Sequence, residues 1–183
     1  SHVWYTGVIR HSTQASEAGC TPSHPQFVKG KAGSPYAICD YYDVNAYLAD
    51  NAEDRILEFE QLIKRTHDAG LKVIIDFVPN HVARDYGKVD MTPGHPVLGA
   101  EDDKSVHWRE ENDFIYYPGE ALRLPTESPK GMEPYYEMPA MATGNNCYTP
   151  APGINDWFET VKINYCDHHT ATWDKMYDII DFW

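Results

Sequence analysis

The sequence predicts an α/β fold built on a parallel sheet, and three features carry that expectation. An apolar strand pattern near the start, "VWYTGVI" at 3–9, is answered by a second at 71–77. An amphipathic helix pattern stands directly before the second strand, and the join between them is short. Strand, helix and strand in that order imply a right-handed crossover that lays the two strands parallel. With 183 residues, 42% of them apolar, the chain has material for one domain, or for one domain carrying a smaller insertion.

Taken in order, the first strand pattern is followed by a loop rich in Ser, Gly and Pro to about Ser34, and "SPYAICDYYDVNAY" carries the chain onward. The helix is read over "AEDRILEFEQLIKRTHDAG". Ile56, Phe59 and Ile63 recur at i, i+3 and i+7, and Leu62 widens the apolar stripe. Asp50 or Asn51 can cap its start, and Gly70 is placed to end it. The second strand has the β-branched run Val73, Ile74, Ile75, which reads as a strand covered on both faces.

The stretch 82–165 differs. It holds nine prolines and only brief strand-like runs, "DFIYY" and "ALRL", on either side of Pro118-Gly119. A structureless connection of that length is foreign to a compact domain, so it reads as a small irregular subdomain inserted after the strand. The chain closes on "TWDKMYDIIDFW", a helix with Trp173, Met176, Tyr177, Ile180 and Trp183 expected on one apolar face.

Charge and cysteines narrow the partners. Arg and Lys total 15 against 28 Asp and Glu, and the net charge of −13 repels nucleic acid and anionic lipid. No apolar run approaches the roughly 18 residues of a membrane span. The start, "SHVWYTGVIRH", lacks the pattern of a signal peptide, so a soluble chain is expected and its compartment is unknown from these residues. Cys20, Cys39, Cys147 and Cys166 show no C-x-x-C spacing, and a core of this size needs no staples, so free thiols are expected. "CDHH" at 166–169 lacks a second ligand pair and reads as an exposed helix start before it reads as zinc. Asp40 with Asp43, and Glu110 with Glu111, read as solvated charges and not as catalytic pairs.

One polar group stands out. In "KVIIDFVPNHVARDYG", Asp76, Asn80 and His81 lie where the second strand ends, and the carboxyl ends of parallel strands are where ligands sit. Taken alone, D-x-x-x-N-H reads as a helix or turn cap beside a satisfied surface histidine before it reads as a site. In context, "HDAGLKVIIDFVPNH" resembles the helix, third strand and first conserved region of the alpha-amylase family, glycoside hydrolase family 13. "SPYAICDYYDVN" at 34–45 resembles that family's segment after strand two, with Tyr36 and, four residues on, Asp40.

That resemblance implies a partial (β/α)8 TIM barrel, strands two and three with helices two and three, plus an irregular inserted domain B. The barrel part would span 1–81, domain B 82–165 and barrel helix three 166–183. Tyr36 would stack its ring on the sugar being cleaved, and His81 would hydrogen-bond the same sugar. Asp76 would be a supporting carboxylate whose arginine partner lies on a strand outside this chain. Asn80 would bridge strand three to domain B, often as a calcium ligand, and Asp40 and Asn164 would be structural. The family often has a metal-binding Asp where "TVKINY" at 160–165 puts Lys162, as the neopullulanase branch does. No cofactor is required by these motifs, and calcium stays open. The implied partner is an α-glucan oligosaccharide or polysaccharide, and the family leans toward a secreted or periplasmic setting over a cytoplasmic one.

The implied activity is retaining hydrolysis of α-1,4-glucans such as starch and maltooligosaccharides. A transglycosylase of the same family, or a non-catalytic sugar-binding relative, are the alternatives. The family's G-x-R-x-D nucleophile pattern and its acid/base motif do not occur, so the chain reads as a fragment that is inactive by itself. Open strand edges and the apolar face of the last helix lead to an expectation of self-association.

Overall fold

In the computed structural model, which describes residues 1–16, 20–88 and 90–183, the two predicted strands pair in parallel. β1 (His2–Tyr5) runs beside β4 (Lys72–Ile75), in register from His2 opposite Lys72 to Tyr5 opposite Ile75. The helix between them, α1, covers Arg55–Asp68. Asn51 caps the 3₁₀ turn Ala52–Asp54 that leads into it, accepting from the Glu53 N–H at 3.2 Å, and Gly70 ends it at a φ of +75°. Phe59, Leu62 and Ile63 pack toward Val8, Val44 and Ile75, whereas Ile56 turns outward.

Three expectations about these elements are corrected. The strand expected over 3–9 is two strands: Gly7, in the left-handed region at φ +66°, breaks it, and β2 (Ile9–His11) pairs antiparallel with β3 (Ile38–Val44). β4 is not covered on both faces, since Ile74 is 47% exposed, as is Trp4 of β1 at 65%. Asp40 and Asp43 are not solvated. They lie inside the fully buried β3, where Asp43 takes a two-point grip from Arg55 (2.6 and 2.7 Å) and Asp40 accepts from Thr92 N–H and Oγ1 (2.7 Å each). Glu110 and Glu111 are exposed.

The irregular stretch is held by short pairs. β5 (His81–Ala83) lies antiparallel to β8 (Thr160–Lys162), and β6 (Tyr116–Tyr117) to β7 (Ala140–Met141). The "ALRL" run forms no strand. At its centre the guanidinium of Arg84, wholly buried, donates to Glu137 Oε1 (2.6 Å), Phe158 O (2.6 Å) and Thr160 O (3.2 Å). One apolar cluster joins all three segments of the chain: Ile38 and Tyr41 from β3, Val82 and Val161 from the β5–β8 pair, and Met176 and Ile179 from the last helix.

That helix, α2 (Ala171–Phe182), is rotated from the expected face. It buries Thr172, Met176 and Ile179, while Tyr177 and Ile180 are each 50% exposed. The rotation has a polar cause. Asp113, with no exposed surface, accepts from Thr172 Oγ1 at 2.7 Å and from Lys175 Nζ at 2.5 Å, which turns residues 172 and 175 inward. The four cysteines are free thiols, and among the described residues no three His, Cys, Asp or Glu side chains group as metal ligands, "CDHH" included. No helix among them is long and apolar enough to cross a membrane.

Candidate functional site

Four of the singled-out residues converge where β4 hands over to β5. Tyr36 sits in a turn closed by Ala37 N–H to Ser34 O at 3.0 Å, and its ring is 46% exposed. The loop 76–81 is pinned from two sides, by Tyr41 Oη to Val78 O (2.5 Å) and Tyr165 Oη to Pro79 O (2.7 Å). That pinning delivers His81 to the first position of β5, buried, with Nε2 3.1 Å from the Tyr36 carbonyl oxygen. Asn80 Nδ2 lies 2.9 Å from His81 Nδ1 and 3.1 Å from Gly144 O. Across the β5–β8 pair Lys162 stands opposite His81, and its Nζ donates to Asn80 Oδ1 at 2.6 Å.

Two residues that sequence reasoning missed complete the wall. Trp157 packs its ring edge-on to His81 with centroids 4.4 Å apart, and its indole N–H is held by Glu159 Oε2 at 3.2 Å. Gly144 is a close backbone approach: a Cβ there would lie 2.4 Å from Thr160 Oγ1 and 2.8 Å from His81 Cβ. The only sequence signal for Gly144 is its Gly-Asn-Asn context, which reads as an ordinary turn.

The remaining predicted residues stand apart from this group, each bonded to other partners among the described residues. Asp76 accepts from Trp4 Nε1 at 2.8 Å, and its buried Oδ2 has no hydrogen-bond partner among the described residues. Asp40 belongs to the contact with Thr92. Asn164 ties the 109–113 turn, donating to Arg109 O (2.9 Å) and Asn112 O (2.8 Å) while accepting from Trp108 Nε1 (3.0 Å).

Burial holds the His81 pKa below its ordinary value; the Tyr36 carbonyl opposes that shift, and the nearby Lys162 charge adds to it. The ring is therefore neutral at pH 7. A histidine with a depressed folded pKa contributes stability that is present above its unfolded value of about 6.5 and is lost as pH falls through the folded value. The stability margin of the wild type over His81→Gln should accordingly shrink between about pH 7.5 and about pH 5. Urea unfolding of both proteins at the two pH values checks this, and a margin independent of pH would contradict it. Burial also lowers the Lys162 pKa.

The arrangement offers an exposed aromatic residue and a half-buried ammonium, with a neutral imidazole buried beside them. An aromatic face with polar groups at its rim suits a ligand with apolar C–H faces and a hydroxyl edge. The family profile described as "Alpha amylase, catalytic domain" matches residues 22–137, a stretch that includes Tyr36, Asp76, Asn80 and His81. Among solved structures, an alpha-amylase from Lactobacillus plantarum is 28% identical over 46% of this chain and 16% of its own, with a TM-score of 0.34. A noncanonic maltogenic alpha-amylase from Thermotoga neapolitana is 33% identical over the same shares, 46% and 16%, with a TM-score of 0.32. The chain thus matches about a sixth of the length of each. No curated protein matches it.

Proposed function

Because this chain belongs to the alpha-amylase family, we propose that it forms one wall of the sugar site of a retaining glycoside hydrolase for α-1,4-glucans. The carrying observation is the convergence of Tyr36, Asn80, His81 and Lys162 at the end of β4. Tyr36 supplies a plate for a glucose ring, and in this reading the His81 Nε2–H exchanges the Tyr36 carbonyl, 3.1 Å away, for a sugar hydroxyl whose bond tightens as oxocarbenium character develops. The chemistry itself needs two carboxyl groups about 5–5.5 Å apart, one nucleophile and one acid/base. Those belong to the longer enzyme in this reading, and the orphaned Asp76 Oδ2 is the matching half of a supporting contact that such a longer chain completes.

The test is product analysis of the full-length enzyme on maltoheptaose. Early products should carry the α-anomer, as retention requires, and the 183-residue chain by itself should release no sugar. A β-anomeric product, or turnover by this chain alone, would refute the reading.

Calcium does not fit beside Asn80. The ion takes six to eight oxygens including negative charge, and here an ammonium occupies the only side-chain oxygen Asn80 has. Lys162 thus stands in for a metal that other family members hold. Chelator should leave the melting temperature and the activity of the full-length enzyme unchanged, read by calorimetry with and without added calcium. A calcium-dependent rise abolished by Asn80→Ala would overturn this.

A further inference from the structure

Donor and acceptor chemistry along the chain Lys162–Asn80–His81 leaves little freedom. An ammonium carries donors only, so the Asn80 atom 2.6 Å from Lys162 Nζ must be the amide oxygen. The amide nitrogen then faces the other way, toward Gly144 O at 3.1 Å and His81 Nδ1 at 2.9 Å. Its two N–H groups meet two acceptors, so Nδ1 must present a lone pair. A neutral imidazole with a lone pair on Nδ1 carries its proton on Nε2, and Nε2 lies 3.1 Å from the Tyr36 carbonyl, an acceptor. Every contact in the chain agrees with one assignment. Reversing the amide would set N–H groups against the ammonium, and a proton on Nδ1 would meet an amide donor.

We propose that Lys162 is a positioning residue: through Asn80 it holds His81 as the Nε2–H tautomer, with the donor on the Tyr36 backbone carbonyl. Gly144 is part of the device. Its carbonyl takes the second Asn80 N–H, and its missing side chain lets the turn come close to His81 and Thr160. Trp157, edge-on at 4.4 Å, blocks rotation of the ring away from this arrangement. The sugar-facing purpose of the donor rests on the hydrolase reading given above; the tautomer does not.

Long-range proton–nitrogen NMR on the 183-residue chain reads the tautomer directly, without substrate. Wild type should show His81 protonated at Nε2 and bare at Nδ1. Lys162→Met frees the Asn80 amide to rotate, and the His81 nitrogens should shift toward a mixture of the two tautomers. Lys162→Arg restores a donor and should restore the wild-type pattern. Asn80→Asp offers Nδ1 only an acceptor and should move a proton onto Nδ1. Dispersed amide spectra establish that each variant is folded. A His81 pattern unchanged in folded Lys162→Met overturns the proposal, whatever Asn80→Asp shows. In the full-length enzyme Lys162→Met should lower kcat/KM about tenfold, the scale of losing a residue that orients a site group. A moved tautomer with unaltered kcat/KM would support the relay and count against the sugar-binding role of His81, so the two failures are distinguishable.

Discussion

Replacing Arg84 with methionine should lower the melting temperature by roughly 10 °C. The guanidinium is wholly buried and bonds a buried carboxylate, Glu137, along with three backbone carbonyls. Removing one partner of a buried pair costs about 3–5 kcal/mol, because the other is left charged without compensation. For a chain of this size each kcal/mol moves the midpoint by about 2–4 °C. Glu137 retains Tyr135 Oη at 3.0 Å, the Met141 N–H at 2.9 Å and the Lys88 ammonium 3.6 Å from its other oxygen, which soften the loss without replacing the buried guanidinium. The double variant Arg84→Met with Glu137→Leu should recover part of the loss, since the stranded carboxylate is gone. The carbonyls of Phe158 and Thr160 still lack their donor, so recovery stays incomplete. Calorimetry of both variants at one pH decides the matter. A single variant melting within about 2 °C of wild type would show that the pair is not the organising contact of the irregular segment.

The second large effect concerns activity without stability. On the proposed function, Tyr36→Ala in the full-length protein should cut kcat/KM on maltooligosaccharides about 100-fold, equivalent to ~2.7 kcal/mol of transition-state stabilisation. The ring is half exposed, and the atom that receives the His81 bond is the backbone carbonyl, which alanine keeps. Melting temperature should therefore hold while activity falls. Tyr36→Phe keeps the aromatic plate and should retain most of the activity. Full activity of the alanine variant would remove Tyr36 from the sugar site.

Much of the site was legible because its residues sit close together in sequence. Asn80 and His81 follow one strand and Tyr36 leads directly into another, whereas Asp76, read with them, stands apart on Trp4. Trp157 and Gly144 were not legible. They reach His81 from 76 and 63 positions away in sequence, arithmetic that no local pattern encodes.

By itself the sequence determined the pieces governed by neighbouring residues: the helix α1 with its Asn51 turn and Gly70 stop, and the strand β4 that follows it. Periodicity and turn chemistry act over a few positions, so they can be read from a few positions. Only the tertiary structure decided what depends on distant partners. Asp40 and Asp43 are buried because Thr92, Arg10 and Arg55 reach them, and α2 is rotated because Asp113 draws in Thr172 and Lys175. Arg84 is an interior residue because Glu137, 53 positions further on, neutralises it. A charged side chain carries no local sign of its burial; the cost of desolvation is offset, or not, by whichever partner the fold brings to it.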